Sequence, residues 1–186
     1  MSLNRGWRGL GMAVVASSQL ALLSCPSVAA ELSQSPQSPV AEAFAQGDFR
    51  RTLVIAEPLA AKGDPEAEHI LGLMYASGWG VKSDPAKAAT WYEKAAAQGV
   101  IAAQNNLAGM FMQGRGVKQD YAKAAAWYRK AAEKGAAQAS YNLGVIYEQG
   151  LGVPQDYKEA ADWYRKAANV ALSSWYQENL PSHTRP

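Results

Sequence analysis

A period of thirty-six residues runs through this chain and limits it to folds built by stacking one repeated unit. Three blocks, 64–99, 100–135 and 136–171, align without a gap. Leu71, Leu107 and Leu143 recur at that spacing, as do Trp91, Trp127 and Trp163, and Asp84, Asp120 and Asp156. So do three glycine pairs: Gly78 with Gly80, Gly114 with Gly116, and Gly150 with Gly152.

Each block reads as two helices. In the first, Ala67, Leu71 and Tyr75 fall at i, i+4 and i+8, and Ala103, Leu107 and Phe111, then Ala139, Leu143 and Tyr147, repeat the stripe. Gly72, Ala108 and Gly144 follow each Leu. Glycine costs a helix about 1 kcal/mol relative to alanine, so these small residues point to the close approach of a neighbouring helix. The motif Gly-x-Gly-Val then ends the first helix through positive φ, with Val81, Val117 and Val153 expected to fill the gap between helices. Asp84, Asp120 and Asp156 stand where N-caps belong, and Pro85 at a first helical position. The second helix carries Ala88, Trp91, Ala95 and their equivalents on one face, and Gly99 and Gly135 close it.

One such pair cannot bury its own apolar face; about three stacked pairs are needed. The expected fold is therefore an all-α solenoid of antiparallel helix pairs. A degenerate opening pair is expected over 40–63, as helices over 40–46 and 49–62, with Pro58 kinking the second. Residues 31–39 read as a flexible linker. At the other end Ala171 stands where a closing Gly is expected, so the last helix is expected to run on. Residues 172–186 read as a cap, with a helix over 172–180, followed by a tail.

The first 30 residues have the plan of a signal peptide: Arg5 and Arg8, an apolar run over 10–23, and Val28-Ala29-Ala30 before a cut that leaves Glu31 first. An uncleaved anchor is a further reading, against which the run is short and interrupted by Ser17, Ser18 and Gln19. Leu22-Leu23-Ser24-Cys25 resembles a bacterial lipobox, so lipidation at Cys25 is the alternative to cleavage after Ala30. Cys25 is the only cysteine, and a chain cut after Ala30 can have no disulfide framework. The formal charge is +2; without Arg5 and Arg8 the 18 basic residues become 16, against 16 acidic. A neutral chain carries no phosphate-neutralising patch, so nucleic acid is not an expected partner, and no polybasic membrane patch is present. After loss of the leader no stable transmembrane segment is expected.

The run Leu-Gly-x-x-Tyr, then Gly-x-Gly-Val, then Asp, then Ala-x-x-Trp-Tyr-x-Lys-Ala-Ala resembles the Sel-1-like repeat family, relatives of the tetratricopeptide repeats. It recurs three times over 64–171. The resemblance implies a right-handed superhelix whose first helices line a concave face. It also implies an adaptor or regulatory scaffold that binds a protein or peptide, in bacteria often in the cell envelope or secreted. A second reading it allows is an envelope enzyme or accessory subunit acting on cell-wall or β-lactam-type substrates. One exported branch is disulfide-rich, and the lone cysteine argues against membership of it.

Catalytic chemistry finds little purchase. His69 lies near Glu66 and Glu68, but a metal site needs three or four converging ligands, which the spacing does not supply. No nucleophile motif surrounds any serine, and the glycine loops lack the Lys-Ser/Thr of a phosphate-binding loop. No catalytic residue, metal or cofactor is expected. The Trp-Tyr pairs read as structural, one ring toward the core and one over a groove. The Lys and Arg at 94, 129, 130, 165 and 166 read as the solvated backs of the second helices.

What remains is the set lining the first helices off the Leu–Tyr stripe. His69, Asn105 and Tyr141 align, as do Ile70, Asn106 and Asn142. Asparagine can pair with both donor and acceptor of an extended backbone. The resemblance adds that an Asn just before the motif Leu does so in tetratricopeptide grooves; Asn106 and Asn142 match that place and Ile70 does not. Met112, Gln113, Glu148 and Gln149 lie further along the same face. The candidate partner-binding residues are thus His69, Asn105, Asn106, Met112, Gln113, Tyr141, Asn142, Glu148 and Gln149. The alternative is that the asparagines only join neighbouring helices.

Overall fold

A computed structural model of the chain describes residues 38–179. The leader with Cys25, the linker up to residue 37 and the residues after 179, including His183, lie outside the described residues. Among the described residues there are eight helices and no strand. They are α1 (Pro39–Ala45), α2 (Phe49–Ala61), α3 (Pro65–Ser77), α4 (Pro85–Ala97), α5 (Ile101–Gln113), α6 (Tyr121–Glu133), α7 (Ala137–Gln149) and α8 (Tyr157–Asn179). Each helix packs on the next, and in addition α1 touches α3 and α3 touches α5. The first helices of successive pairs therefore run side by side, in a nearest-neighbour stack characteristic of an α-solenoid.

The helix limits follow from the sequence chemistry. Asp64 caps α3 by accepting from the Ala67 N–H, and Asp84 caps α4 from Ala86 and Lys87. Asp120 accepts from Lys123, and Asp156 from Lys158 and Glu159. Gly78, Gly114 and Gly150 end α3, α5 and α7 in the left-handed region. Next to each turn, the side chains of Ser83, Gln119 and Gln155 donate to the carbonyls of Ala76, Met112 and Glu148. These are helix-end acceptors with no intrahelical partner.

The second glycine of each turn does something different. A Cβ on Gly80 would sit 2.6 Å from Phe49 Cβ, one on Gly152 would sit 2.5 Å from the Ala122 nitrogen, and one on Gly116 would overlap the Pro85 carbonyl. Each turn thus seats on the start of the preceding pair's second helix, and only a residue without Cβ, at positive φ, permits it.

The core crosses the repeat junctions. Ala88, Tyr92 and Ala95 of α4 pack with Ala103, Leu107 and Met110 of α5, and Val117 packs against this cluster. Ala124, Tyr128 and Ala131 of α6 pack with Ala139, Leu143 and Ile146 of α7, joined by Trp163, with Val153 against them. Alanine at so many contacts lets helices approach closely, and the larger side chains fill the remaining space.

Three details differ from expectation. The buried face of α4 and α6 runs through Tyr92 and Tyr128, while Trp91 and Trp127 are half-buried with Lys94 and Lys130 over their rings at 4.2 and 4.1 Å. The lysines are therefore stacked on aromatic faces, a contact worth roughly 0.5–1 kcal/mol at exposed sites, rather than merely solvated. Ile70 does not line a groove but is fully buried. Finally, α8 runs unbroken for 23 residues, without a separate helix after Ala171.

Candidate functional site: tyrosine and asparagine rungs between repeats

Gly72 and Gly144 make room for an aromatic ring: a Cβ there would come within 2.5 Å of Tyr92 and 2.6 Å of Tyr164. The ring belongs to the second helix of the same repeat. The Asn106 side chain acts on the Tyr92 hydroxyl and the Asn142 side chain on that of Tyr128, each favouring the ionised form. Two equivalent rungs therefore join repeat to repeat beside the first helices.

The first rung is the more elaborate. His69 Nε2 lies 3.4 Å from Asn106 Nδ2, and its ring is 5.9 Å from that of Tyr92. Burial pushes the imidazole down to about 4, so it is neutral at physiological pH and its Nε2 can accept. Burial pushes the Tyr92 hydroxyl well above its ordinary value, against the pull of the nearby Arg115 guanidinium. Arg115, in the turn after α5, also donates to the Ala76 carbonyl at the end of α3. In the second rung burial pushes Tyr128 up to about 12, and Asn142 Oδ1 accepts from Gln138 at 3.2 Å.

Among the described residues no helix follows the third repeat to receive its tyrosine. Here Trp163 is buried and Tyr164 half-exposed, the reverse of the earlier repeats. Tyr164 donates to Glu148 at 2.7 Å, and its ring lies 5.4 Å from Tyr141. Burial, then the bond to Glu148 and that carboxylate's charge, raise the Tyr164 hydroxyl.

The candidate residues thus fall into separate groups. His69 and Asn106 meet; Asn142 belongs to the second rung; Tyr141 and Glu148 meet around Tyr164. Asn105 is half-buried, and its Oδ1 has no hydrogen-bond partner. Met112 is half-buried against the core of the last two repeats. Gln113 and Gln149 are exposed, one repeat apart on α5 and α7. Sequence reasoning missed the tyrosines as partners of the asparagines, together with Arg115 and Gln138. The signal was present in the glycines at 72 and 144, whose visitor is a ring and not a helix backbone. Three buried polar side chains were also missed: Glu68, Gln104 and Ser140, themselves one period apart. Glu68 accepts from Gln98 at 2.7 Å and Gln104 donates to the Ala96 carbonyl at 3.0 Å, so both tie helix ends together.

Among the described residues no three His, Cys, Asp or Glu side chains converge as metal ligands. None of the described helices is long and apolar enough to cross a membrane. The polar groups of the site are amides, hydroxyls, one neutral imidazole, the Glu148 carboxylate and the Arg115 guanidinium, all suited to hydrogen bonding.

The Sel1 repeat family model matches residues 65–100, 101–135 and 137–170. The chain belongs to the Sel1 repeat family. A Sel1 repeat protein from Oxalobacter formigenes has a similar structure, with a TM-score of 0.68 at 33% identity over 75% of this chain and 57% of that one. A protective antigen of uropathogenic Escherichia coli strains, displaying an SLR fold, matches with a TM-score of 0.60 at 36% identity over 81% of this chain. The Sel1 chain described here spans 57% and 32% of the lengths of those two proteins. No curated protein matches it. Sel1 repeat proteins typically mediate protein–protein interactions, and the scaffold is typically non-catalytic.

Proposed function

We propose that this Sel1 protein is an exported adaptor or regulatory scaffold of the bacterial envelope that binds a protein or peptide segment along its first helices. The observation that carries the reading is the side-by-side run of α1, α3 and α5, along which His69 of α3 meets Asn106 of α5. Asn106 is held by His69 and Asn142 by Gln138, with Tyr92 and Tyr128 beside them, and fixed groups lose less entropy when a ligand arrives. Gln113 and Gln149 stand exposed beyond them, free to meet an extended backbone with paired donors and acceptors. The envelope address rests on the leader: Arg5 and Arg8, the apolar run and Val28-Ala29-Ala30.

Two measurements test this reading. Mass spectrometry of the protein recovered from cells should give Glu31 as the first residue; an acylated Cys25 would replace the soluble form with a membrane-anchored one, and an intact leader on protein recovered from the cytoplasm would remove the envelope assignment. Affinity capture from an envelope fraction should yield a partner. The pair Gln113→Ala and Gln149→Ala should weaken its binding by roughly ten-fold, since each lost hydrogen bond that leaves a partner group unpaired costs about 1–3 kcal/mol. Lys130→Ala, on α6 and stacked on Trp127, is the control. Binding lost with the lysine and kept with the glutamines would place the partner on the second helices.

A further inference from the structure

Every internal junction of the array is a groove between the two helices of one repeat, filled by the first helix of the next. Helix α5 seats on α4, and α7 on α6. After α7 and α8 the same groove continues the series and has no described helix in it. It measures about 540 Å³ and is lined by Tyr141, Tyr164, Ala167, Ala168 and Ala171, with no charged side chain in its wall. Tyr141 is 44% exposed and Leu172 beside it 55% exposed, whereas the corresponding His69 and Asn105 are half-buried under the next repeat. A solenoid normally closes its end with a polar outer face. This end is apolar.

The opposite end is built otherwise. Helix α1 turns Val40, Ala41 and Ala43 inward and leaves Glu42 and Gln46 exposed, bonded to each other at 3.1 Å. A second copy stacked head to tail would bring that polar face against the apolar groove, a mismatch. A second copy brought groove to groove would not. Around Ala168, Tyr164 lies four residues before and Leu172 four after, and a two-fold there sets the small Ala171 against Arg165 and the small Ala167 against Asn169. In an antiparallel pair centred on Ala168, Tyr164 of each copy meets Leu172 of the other. The near-neutral chain after residue 30 offers little charge repulsion to oppose the contact.

We infer that the open groove of α7 and α8 is a self-association surface, through which two copies pair about a two-fold axis with their α8 helices antiparallel. Such an isologous contact closes at the dimer, whereas a head-to-tail contact would polymerise. The proposal is independent of the partner-binding reading, since it concerns the end of the array and not the face of the first helices.

Sedimentation equilibrium of the purified full chain over roughly 1–200 μM should give a monomer–dimer equilibrium and nothing larger. Ala168→Glu keeps a good helix former and puts a charge into the contact. It should raise the dissociation constant by about ten-fold or more, with far-UV circular dichroism unchanged. Leu172→Lys should act in the same direction. Val54→Asp, at a 70% exposed position on α2, should leave the dimer intact. A strictly monomeric wild-type chain, a ladder of higher species, or a dimer that survives both α8 changes would each overturn the inference. The last outcome would also expose association through the leader, which all these variants retain. Loss of the dimer in a chain cut after Asn179 with both α8 variants still paired would overturn it in favour of the tail.

Discussion

Tyr128 and Tyr164 occupy the same place in successive repeats and have opposite surroundings. Tyr128 is 5% exposed and lies beside Asn142 of the following repeat; Tyr164 is half-exposed and turns to Glu148 of its own. The Trp beside each responds in the other sense, half-buried at 127 and buried at 163. In a solenoid the environment of a side chain is set by whether a next repeat arrives, and only secondarily by the repeat's own residues. The same holds for the rung positions: His69 and Asn105 are covered, and Tyr141 is open.

The comparison is broken most severely in the middle of the array. Leu107 is 1% exposed within the junction core, so Leu107→Ala should cost about 2–5 kcal/mol through lost burial and a residual cavity. Leu172 lies at the open end, and at concentrations where the chain is monomeric Leu172→Ala should stay within about 0.5–1 kcal/mol. Urea unfolding of the two variants measures both. Comparable losses would mean that the end of the array is packed as tightly as its centre.

How far could the sequence see this contrast? The elements were plain in it. Asp84, Asp120 and Asp156 marked the starts of second helices, and the glycine turns marked the ends of first ones, because capping and positive φ are local chemistry. The lost closing glycine at Ala171 announced that α8 would not stop on schedule. The opening pair was legible as well, although α2 continues through Pro58 to Ala61. The site was legible only in part. A 36-residue period tells which residues are equivalent, and not what each one faces. Trp91 and Tyr92 are adjacent in a helix and differ by 100° of rotation, so small errors in the helix phase exchange the buried ring for the half-buried one. Asn106 could be placed off the core stripe, but its partners, Tyr92 and His69, come from two other helices. Those contacts depend on how repeats stack, which no local pattern encodes.

A smaller effect should come from the first rung through pH. His69 has a folded pKa of about 4, below the ordinary value of 6.5 expected in the unfolded chain. Between these values the unfolded state binds more protons than the folded one, so stability rises with pH across that window. The contribution is fully present above about pH 6.5, is lost progressively as pH falls toward 4, and changes no further below that. Its size is at most about 3 kcal/mol, and less to the extent that the half-buried ring keeps some water. Melting curves of wild type and His69→Gln at pH 4.5 and 7.5 isolate it. The variant should lose much of the pH dependence over this interval; an unchanged slope would mean that the acid sensitivity resides in the carboxylates.

The smallest effect bears most directly on the two tyrosines. Tyr128→Phe removes a buried hydroxyl and leaves part of the Asn142 amide unpaired, at a cost of about 1–2 kcal/mol. Tyr164→Phe removes a bond to an exposed glutamate, which solvent replaces, so its effect should stay within about 0.5 kcal/mol. A double-mutant cycle of Tyr128→Phe with Asn142→Ala should then show a coupling of about 1 kcal/mol, because once either partner is gone the other has nothing left to lose. The corresponding cycle of Tyr164→Phe with Glu148→Gln should show almost none. Two small and equal couplings would mean that the rungs are incidental contacts and that alanine packing alone fixes the spacing of the repeats. A large coupling at Tyr164 would mean that its hydroxyl is shielded from water, which requires something to cover the open groove and would point back to the second copy seated there.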